Sequence, residues 1–332
     1  MGSMPGTDID EATRVVLGEL PALPHLVELP ARGVGADMIG RGAALLVDLA
    51  VEVVPSGYRV TARPGRDHRR AVDWLRRDVD ALHDAVDRTG SPPPVVKVQA
   101  PGPWTLTAGI ELATGHRVLT DWGARREFAE SLAEGLRSHV DEVARRTGAP
   151  VMVQLDEPTL PTVMAGGLPT PSGYGTVPAP DRADVPAVLG SVVDAARSAT
   201  DRPVVLHCCA TRPPLKELRE SGAEILAFDA TALSGAPTSM TDELGEAIDA
   251  GNTLFLGLVP TREPSAPSTL HGLAQPALDL LDRLGFDRKV LAEQMVPTPA
   301  CGLAGASVRY ARQALRHARE LGRAFEEPPE TW

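Results

Sequence analysis

The sequence predicts a single α/β domain, a (β/α)8 TIM barrel spanning residues 1–332. Three observations lead there. Short apolar runs of strand length alternate with amphipathic stretches of helical period to the end of the chain, the pattern of a parallel sheet wrapped by helices. Six of these runs are clear and two weaker early ones precede them, the number a closed barrel needs. No glycine-rich phosphate loop follows the first strand, although an open doubly wound sheet would want one there. A chain of 332 residues can be one barrel of ordinary size, and 43% hydrophobic residues are enough to fill its core.

The elements follow in order. Residues 25–29 are a weak early strand. Residues 51–54 and 58–61 flank Pro55-Ser56-Gly57 and read as a hairpin inserted near 47–62, before the barrel resumes. The clear strands are Val95-Val96-Lys97-Val98-Gln99, Val151-Met152-Val153-Gln154-Leu155, Val204-Val205-Leu206-His207, Ile225-Leu226-Ala227-Phe228, Leu254-Phe255-Leu256-Gly257-Leu258 and Lys289-Val290-Leu291-Ala292. Helical period is clearest over 67–87, 123–147, 185–199, 241–250, 270–284 and 305–325. Gly148-Ala149-Pro150 and Gly251-Asn252 carry the glycine signals of helix ends. Residues 166–184, rich in Gly, Pro, Ser and Thr, read as a long loop after the Asp156 strand and a candidate lid. The tail 326–332 is expected to be mobile.

Bulk properties exclude some functions. The net charge is −11 and no Lys/Arg run forms a phosphate-tracking stripe, so nucleic acid is not the expected partner. Apolar runs such as residues 254–260 fall far short of the roughly 18–20 residues of a membrane span, so no membrane association is expected. Met1-Gly2-Ser3-Met4-Pro5 lacks the regions of a signal peptide. Three cysteines, an odd count in a long chain, argue against a disulfide framework and for a reducing cytoplasm.

Those cysteines carry the chemistry. All lie in His207-Cys208-Cys209 and Pro299-Ala300-Cys301-Gly302. Barrel active sites form where strands end, and strand side chains alternate with period two. His207 and Cys209 therefore share one side and Cys208 faces away as a small buried hydrophobe. We expect His207, Cys209 and Cys301 to bind a metal, and a sulfur-rich set points to zinc. Asp229, at the end of its strand, offers an oxygen ligand, though an acid in that position reads equally well as a loop or capping group. Asp156-Glu157-Pro158 is another polar strand end, with a capping acid as its alternative reading. Two thiolates, a carboxylate and a neutral imidazole over-neutralise Zn²⁺. Such a zinc is poor at making hydroxide and good at ionising a bound thiol, which then attacks a carbon electrophile.

At this point a family resemblance emerges. Gly2-Ser3-Met4-Pro5, the Gly102-Pro103-Trp104-Thr105 segment, Gln154-Leu155-Asp156-Glu157-Pro158, His207-Cys208-Cys209 and Cys301-Gly302-Leu303 stand in the order and approximate spacing of the catalytic barrel of cobalamin-independent methionine synthases. The chain resembles that family over residues 2 to about 310. The resemblance implies a (β/α)8 barrel and a zinc held by His207, Cys209, Cys301 and Asp229, the last standing where the family usually has Glu. It implies homocysteine S-methyltransferase activity in which a zinc-bound thiolate takes a methyl group and methionine forms. Homocysteine would be held by Gly2 and Ser3, with Asp156 and Glu28 on its ammonium, and Trp104 would wall the donor side. Full-length family members carry a second barrel that helps bind methyl-folate, and this chain holds one, so the expected donor is either 5-methyltetrahydrofolate or a methyl-corrinoid protein. Two other readings stand beside this one. Short relatives act as alkyl transferases or lyases on coenzyme M, whose sulfonate would call on Arg32 or Arg41. A non-catalytic zinc-binding barrel is the third.

Overall fold

The computed structural model describes residues 2–170, 172–231 and 233–327. Among these, the strands form two sheets. The smaller is the hairpin expected from Pro55-Ser56-Gly57: β1 (Ala50–Val54) pairs antiparallel with β2 (Gly57–Thr61). The two residues of β4 (Ile110–Glu111) join it along β2. The larger sheet is parallel throughout and runs β3 (Val96–Pro101), β5 (Val151–Asp156), β6 (Val205–Cys208), β7 (Ile225–Asp229), β8 (Thr253–Val259) and β9 (Met295–Pro299).

This sheet curls, and two stubs complete the ring. Residues 25–28 lie beside β3, where Leu26 N donates to Lys97 O (2.8 Å) and Lys97 N to Pro24 O (2.8 Å). Residues 2–4 lie beside them, with Met4 N on Glu28 O (2.9 Å) and Glu28 N on Gly2 O (3.1 Å). Leu303 N, just past β9, donates to Ser3 O at 2.8 Å and ties the last strand back to the first. The fold is thus TIM-barrel-like, with its first two positions reduced to one bridge each.

Helices cover the outside: α1 (Ile9–Glu19), α2 (Met38–Leu45), α3 (Arg66–Thr89), α4 (Pro103–Gly109), α5 (Trp122–Thr147), α6 (Leu160–Met164), α7 (Asp184–Ala199), α8 (Leu215–Glu220), α9 (Thr238–Asp249), α10 (Leu270–Leu284), α11 (Lys289–Gln294) and α12 (Val308–Glu326). Local chemistry sets their ends. Asp121 accepts from Ala124 N at the start of α5, and Gly148 ends it at φ 68°, a left-handed value that glycine adopts without strain.

Strand side chains sort by parity. Leu206, Cys208, Leu226, Phe228 and Leu256 point outward into the helix-covered core. Val205, Ile225, Ala227 and Phe255 fill a small apolar cluster inside the ring. The remaining interior is polar, because Lys97, Gln99, Gln154, Asp156 and His207 share that inward parity and are buried. The core outside therefore holds the barrel together, and the interior is left for chemistry.

One strand expectation is corrected. Lys289-Val290-Leu291-Ala292 is helical, within α11, and the last barrel strand is Met295–Pro299. A short apolar run fits a buried helix turn as well as a strand. Asp287 accepts from Lys289 N at 2.8 Å and starts the turn. Pro297 and Pro299 argue against a central strand, but β9 is the last of the sheet, where missing N–H groups are tolerated. Among the described residues of 166–184, the candidate lid, none is helical before Asp184, where α7 begins, and an isolated bridge joins Pro169 to Thr176. Of the tail expected to be mobile, residues 328–332 lie outside the described residues.

Candidate active site

β6 delivers His207 inward at its end and Cys209 one pleat further on. Cys208 points the other way, fully buried against the helices. Cys301 arrives from the loop after β9. The ligand atoms of His207, Cys209 and Cys301 all lie within 4.8 Å of one another, although the two segments are far apart in sequence. The Cys209 and Cys301 sulfurs are 3.0 Å apart. The hydrogen bond between them holds one sulfur, Cys301, below the usual thiol range and pushes the other, Cys209, up.

His207 is prepared for a metal. Its Nδ1 meets Asp156 Oδ1 at 2.6 Å, and Gln154 Nε2 donates to the same oxygen at 2.7 Å. That contact fixes the ring, and the other nitrogen, Nε2, is buried with no hydrogen-bond partner. A buried, unpartnered ring nitrogen beside two sulfurs costs free energy unless something electrophilic meets it. Carboxylate, imidazole and metal in line is the usual way to orient a ligating histidine. Burial raises the Asp156 carboxyl, but the hydrogen bond and charge of His207 outweigh it and the net direction is down. The donor set fits a metal ion.

Asp229 departs from expectation. It ends β7 on the inward parity, yet it does not belong to the 4.8 Å group. Its Oδ1 accepts from Thr231 N (2.9 Å) and Thr231 Oγ1 (2.6 Å), so the carboxylate closes the loop turn after its own strand. A side chain one methylene shorter than Glu folds back on the backbone more readily than it spans the barrel mouth.

Trp104 is also corrected. It is 1% exposed, a core residue whose Nε1 donates to Val185 O of α7 at 3.3 Å. A ring so covered offers a donor no surface. Its neighbour in the fold explains a residue that the sequence left ambiguous. Glu157 accepts from Trp104 N (2.9 Å), Thr105 N (2.8 Å) and Thr105 Oγ1 (2.7 Å), capping α4 across the barrel rim. A Cβ at Gly102 would overlap this carboxyl, so the Gly-Pro pair is what lets Glu157 approach. Burial lifts Glu157 to about 7 despite the three donors. The two acids of Asp156-Glu157 thus divide: the first holds His207 and the second holds a helix.

Gly2, Ser3 and Glu28, the residues expected to hold an amino acid, lie side by side. Ser3 and Glu28 form a bridge, and Gly302 packs so closely on the Ser3 hydroxyl that a Cβ there would overlap it. Cys301 is therefore adjacent in sequence to the residue that touches Ser3. Burial raises the Glu28 carboxyl, the Arg41 charge lowers it, and Asp156 raises it again, for a net shift upward. Arg41 Nε stands 3.4 Å from Glu28 Oε1. Arg41 also pairs with Asp78, and Arg32 Nη2 meets Asp78 Oδ1 at 2.7 Å, so one buried carboxylate holds both guanidinium groups proposed for a sulfonate. The Arg41–Asp78–Arg32 cluster carried no sequence signal, because its members lie on three separate elements.

Comparison with known proteins places the family and the fold. The profile of the family described as cobalamin-independent synthase, catalytic domain, matches residues 1–324. Among solved structures, a B12-independent methionine synthase from Shewanella sp. W3-18-1, in complex with selenomethionine, superposes with TM-score 0.58 at 13% identity, covering 97% of this chain and 95% of that one. A methyltransferase from Methanosarcina mazei gives TM-score 0.55 at 14% identity, covering 96% and 85%. No curated protein sequence matches this one. Among the described residues no helix is long and apolar enough to cross a membrane. The chain belongs to the cobalamin-independent synthase catalytic-domain family and is a methyltransferase.

Proposed function

We propose that the protein is a zinc-dependent S-methyltransferase that makes methionine from homocysteine. The observation that carries this reading is the convergence of His207, Cys209 and Cys301 within 4.8 Å, beside the Ser3–Glu28 seat. With Asp229 engaged by Thr231, the residues that would hold a zinc are His207, Cys209 and Cys301, leaving room in the donor set for a substrate thiol. Zinc bound there would lower the pKa of the thiol and keep its sulfur electron-rich. The chain's own residues do the rest. Asp156 orients His207 through Nδ1. Glu28 and Asp156 face the substrate ammonium, and the Gly2–Ser3 segment receives its carboxylate, so the thiol is aimed at the metal ligands. Binding at three points orients the sulfur for in-line attack on a methyl group, the kind of positioning that supplies much of a transfer reaction's rate.

Selenomethionine bound to the Shewanella relative supports an amino-acid seat of this kind. The methyl donor is 5-methyltetrahydrofolate or a methyl-corrinoid protein. The coenzyme M reading has less support, because Arg32 and Arg41 are committed to Asp78. The test is methionine formation by zinc-loaded protein offered each donor separately. Methionine from one donor, and none from the Cys301→Ser variant, is expected. A zinc-loaded protein that methylates coenzyme M and not homocysteine would overturn the reading.

A further inference from the structure

The proposed amino-acid seat stands on the thinnest part of the barrel. Residues 2–4 and 25–28 meet through one bridge, Ser3 with Glu28, and residues 25–28 meet β3 through one more, His25 with Lys97. A cavity of about 370 Å³ adjoins them, lined in part by Ser3, Met4, Leu23, His25, Lys97 and Phe255. No full ladder fixes the two stubs, and the cavity borders them on one side. A site of this kind works only if its backbone is held to within a fraction of an ångström.

One side chain reaches both stubs. Gln99, on the inward face of β3, donates from Nε2 to Leu26 O at 2.6 Å. Its amide presses against Gly2 so closely that a Cβ there would overlap it. Its Oε1 accepts from Lys97 Nζ at 3.1 Å. Gln99 is 4% exposed and Lys97 5%. The ammonium settles which way the amide faces: oxygen toward Lys97, nitrogen toward Leu26. Burial works against the charge on Lys97, while Asp156 and Glu28 favour it. The net direction for Lys97 is down, and the partners that offset its burial are Asp156 and Glu28, with Gln99 Oε1 as its hydrogen-bond acceptor.

We propose that Lys97 and Gln99 are positioning residues for the amino-acid end of the thiol substrate: Lys97 locks the Gln99 amide, and Gln99 sets Gly2–Ser3 against Leu26–Glu28. The inference rests on the proposed homocysteine reading. It also explains why Gly2 is glycine, since any side chain there would displace the strut.

The test compares two thiols on zinc-loaded protein: L-homocysteine, and 2-mercaptoethanol, which has neither ammonium nor carboxylate. Gln99→Met and Lys97→Met are expected to weaken homocysteine binding by about tenfold or more, while zinc stoichiometry and 2-mercaptoethanol affinity stay within about twofold of wild type. Gln99→Glu keeps an acceptor for Lys97 but sets an oxygen against Leu26 O, and it is expected to weaken homocysteine as well. It carries the test if Gln99→Met does not fold. Unchanged homocysteine affinity in the folded variants overturns the proposal, and so does an equal loss for both thiols. Wild-type protein that binds zinc but no homocysteine instead overturns the functional reading beneath it.

Discussion

The two halves of this barrel are built differently. The proposed metal half rests on β6 and β9, strands of a continuous parallel ladder. The proposed seat half rests on two stubs of one bridge each, held in part by the buried Gln99 amide and the Glu28–Arg41 pair. The difference follows what each half must do. A metal site needs three donors at fixed separations, which strand ends supply cheaply from regular geometry. The stubs keep a few backbone bonds, among them Met4 N on Glu28 O, Glu28 N on Gly2 O and Leu303 N on Ser3 O, and the Gln99 side chain adds one more on Leu26 O.

Substitutions test this contrast. The largest effect is expected in the metal half: His207→Ala or Cys301→Ser removes the metal and abolishes methyl transfer, with the fold retained by circular dichroism. Cys208→Ser, on the opposite face of the same strand, keeps stoichiometric metal and costs about 1–3 kcal/mol of stability, because a hydroxyl enters an apolar core. Zinc retained in both ligand variants would break the assignment.

Glu157 probes the boundary between the halves. Glu157→Ala leaves three donors of α4 without their acceptor and is expected to cost on the order of 3 kcal/mol in denaturant melts, with metal stoichiometry unchanged. Burial raises its folded value from 4.5 to about 7, so the folded state binds more protons than the unfolded state within that window. Stability from this group therefore falls as pH rises from 4.5 to about 7, and Glu157→Gln should flatten that slope. An unchanged slope would show that the three donors hold the carboxyl ionised.

Asp156→Asn leaves the ring of His207 a weaker partner. Metal affinity should fall by roughly 10–100-fold, read by competition with a chelator. The smallest effect belongs to Asp229. Because its carboxylate serves Thr231, Asp229→Asn should change metal affinity by less than about threefold, the scale of a turn contact rather than a lost ligand. A loss as large as that of His207→Ala would restore Asp229 to the ligand set.

Much of this was legible in the chain. The hairpin, the long helices and five of the six ladder strands follow from period and from turn residues. The convergence of His207, Cys209 and Cys301 follows from their places at strand ends and, for the first two, from alternation, since they are two apart and Cys208 between them must turn away. What was not legible depends on tertiary reach. The 289–292 run has strand composition, and the Asp287 side chain before it, with its place against α12 and β8, makes it a helix turn. Trp104 has the composition of a ligand wall and the placement of a core residue. Whether Asp229 spans the barrel mouth or folds onto Thr231 depends on distances between strands that no local pattern contains. Lys97 and Gln99 read as ordinary polar positions in a strand until the two stubs they brace are seen beside them.

The most direct measurement is proton release when L-homocysteine is added to protein loaded with one zinc per chain, followed by calorimetry in buffers of different ionisation enthalpy. The account predicts about one proton released per homocysteine bound near pH 7, from a thiol that is mostly protonated when free, and no release from the Cys301→Ser variant. Homocysteine binding without proton release, or a wild-type protein that takes up no zinc, would contradict it.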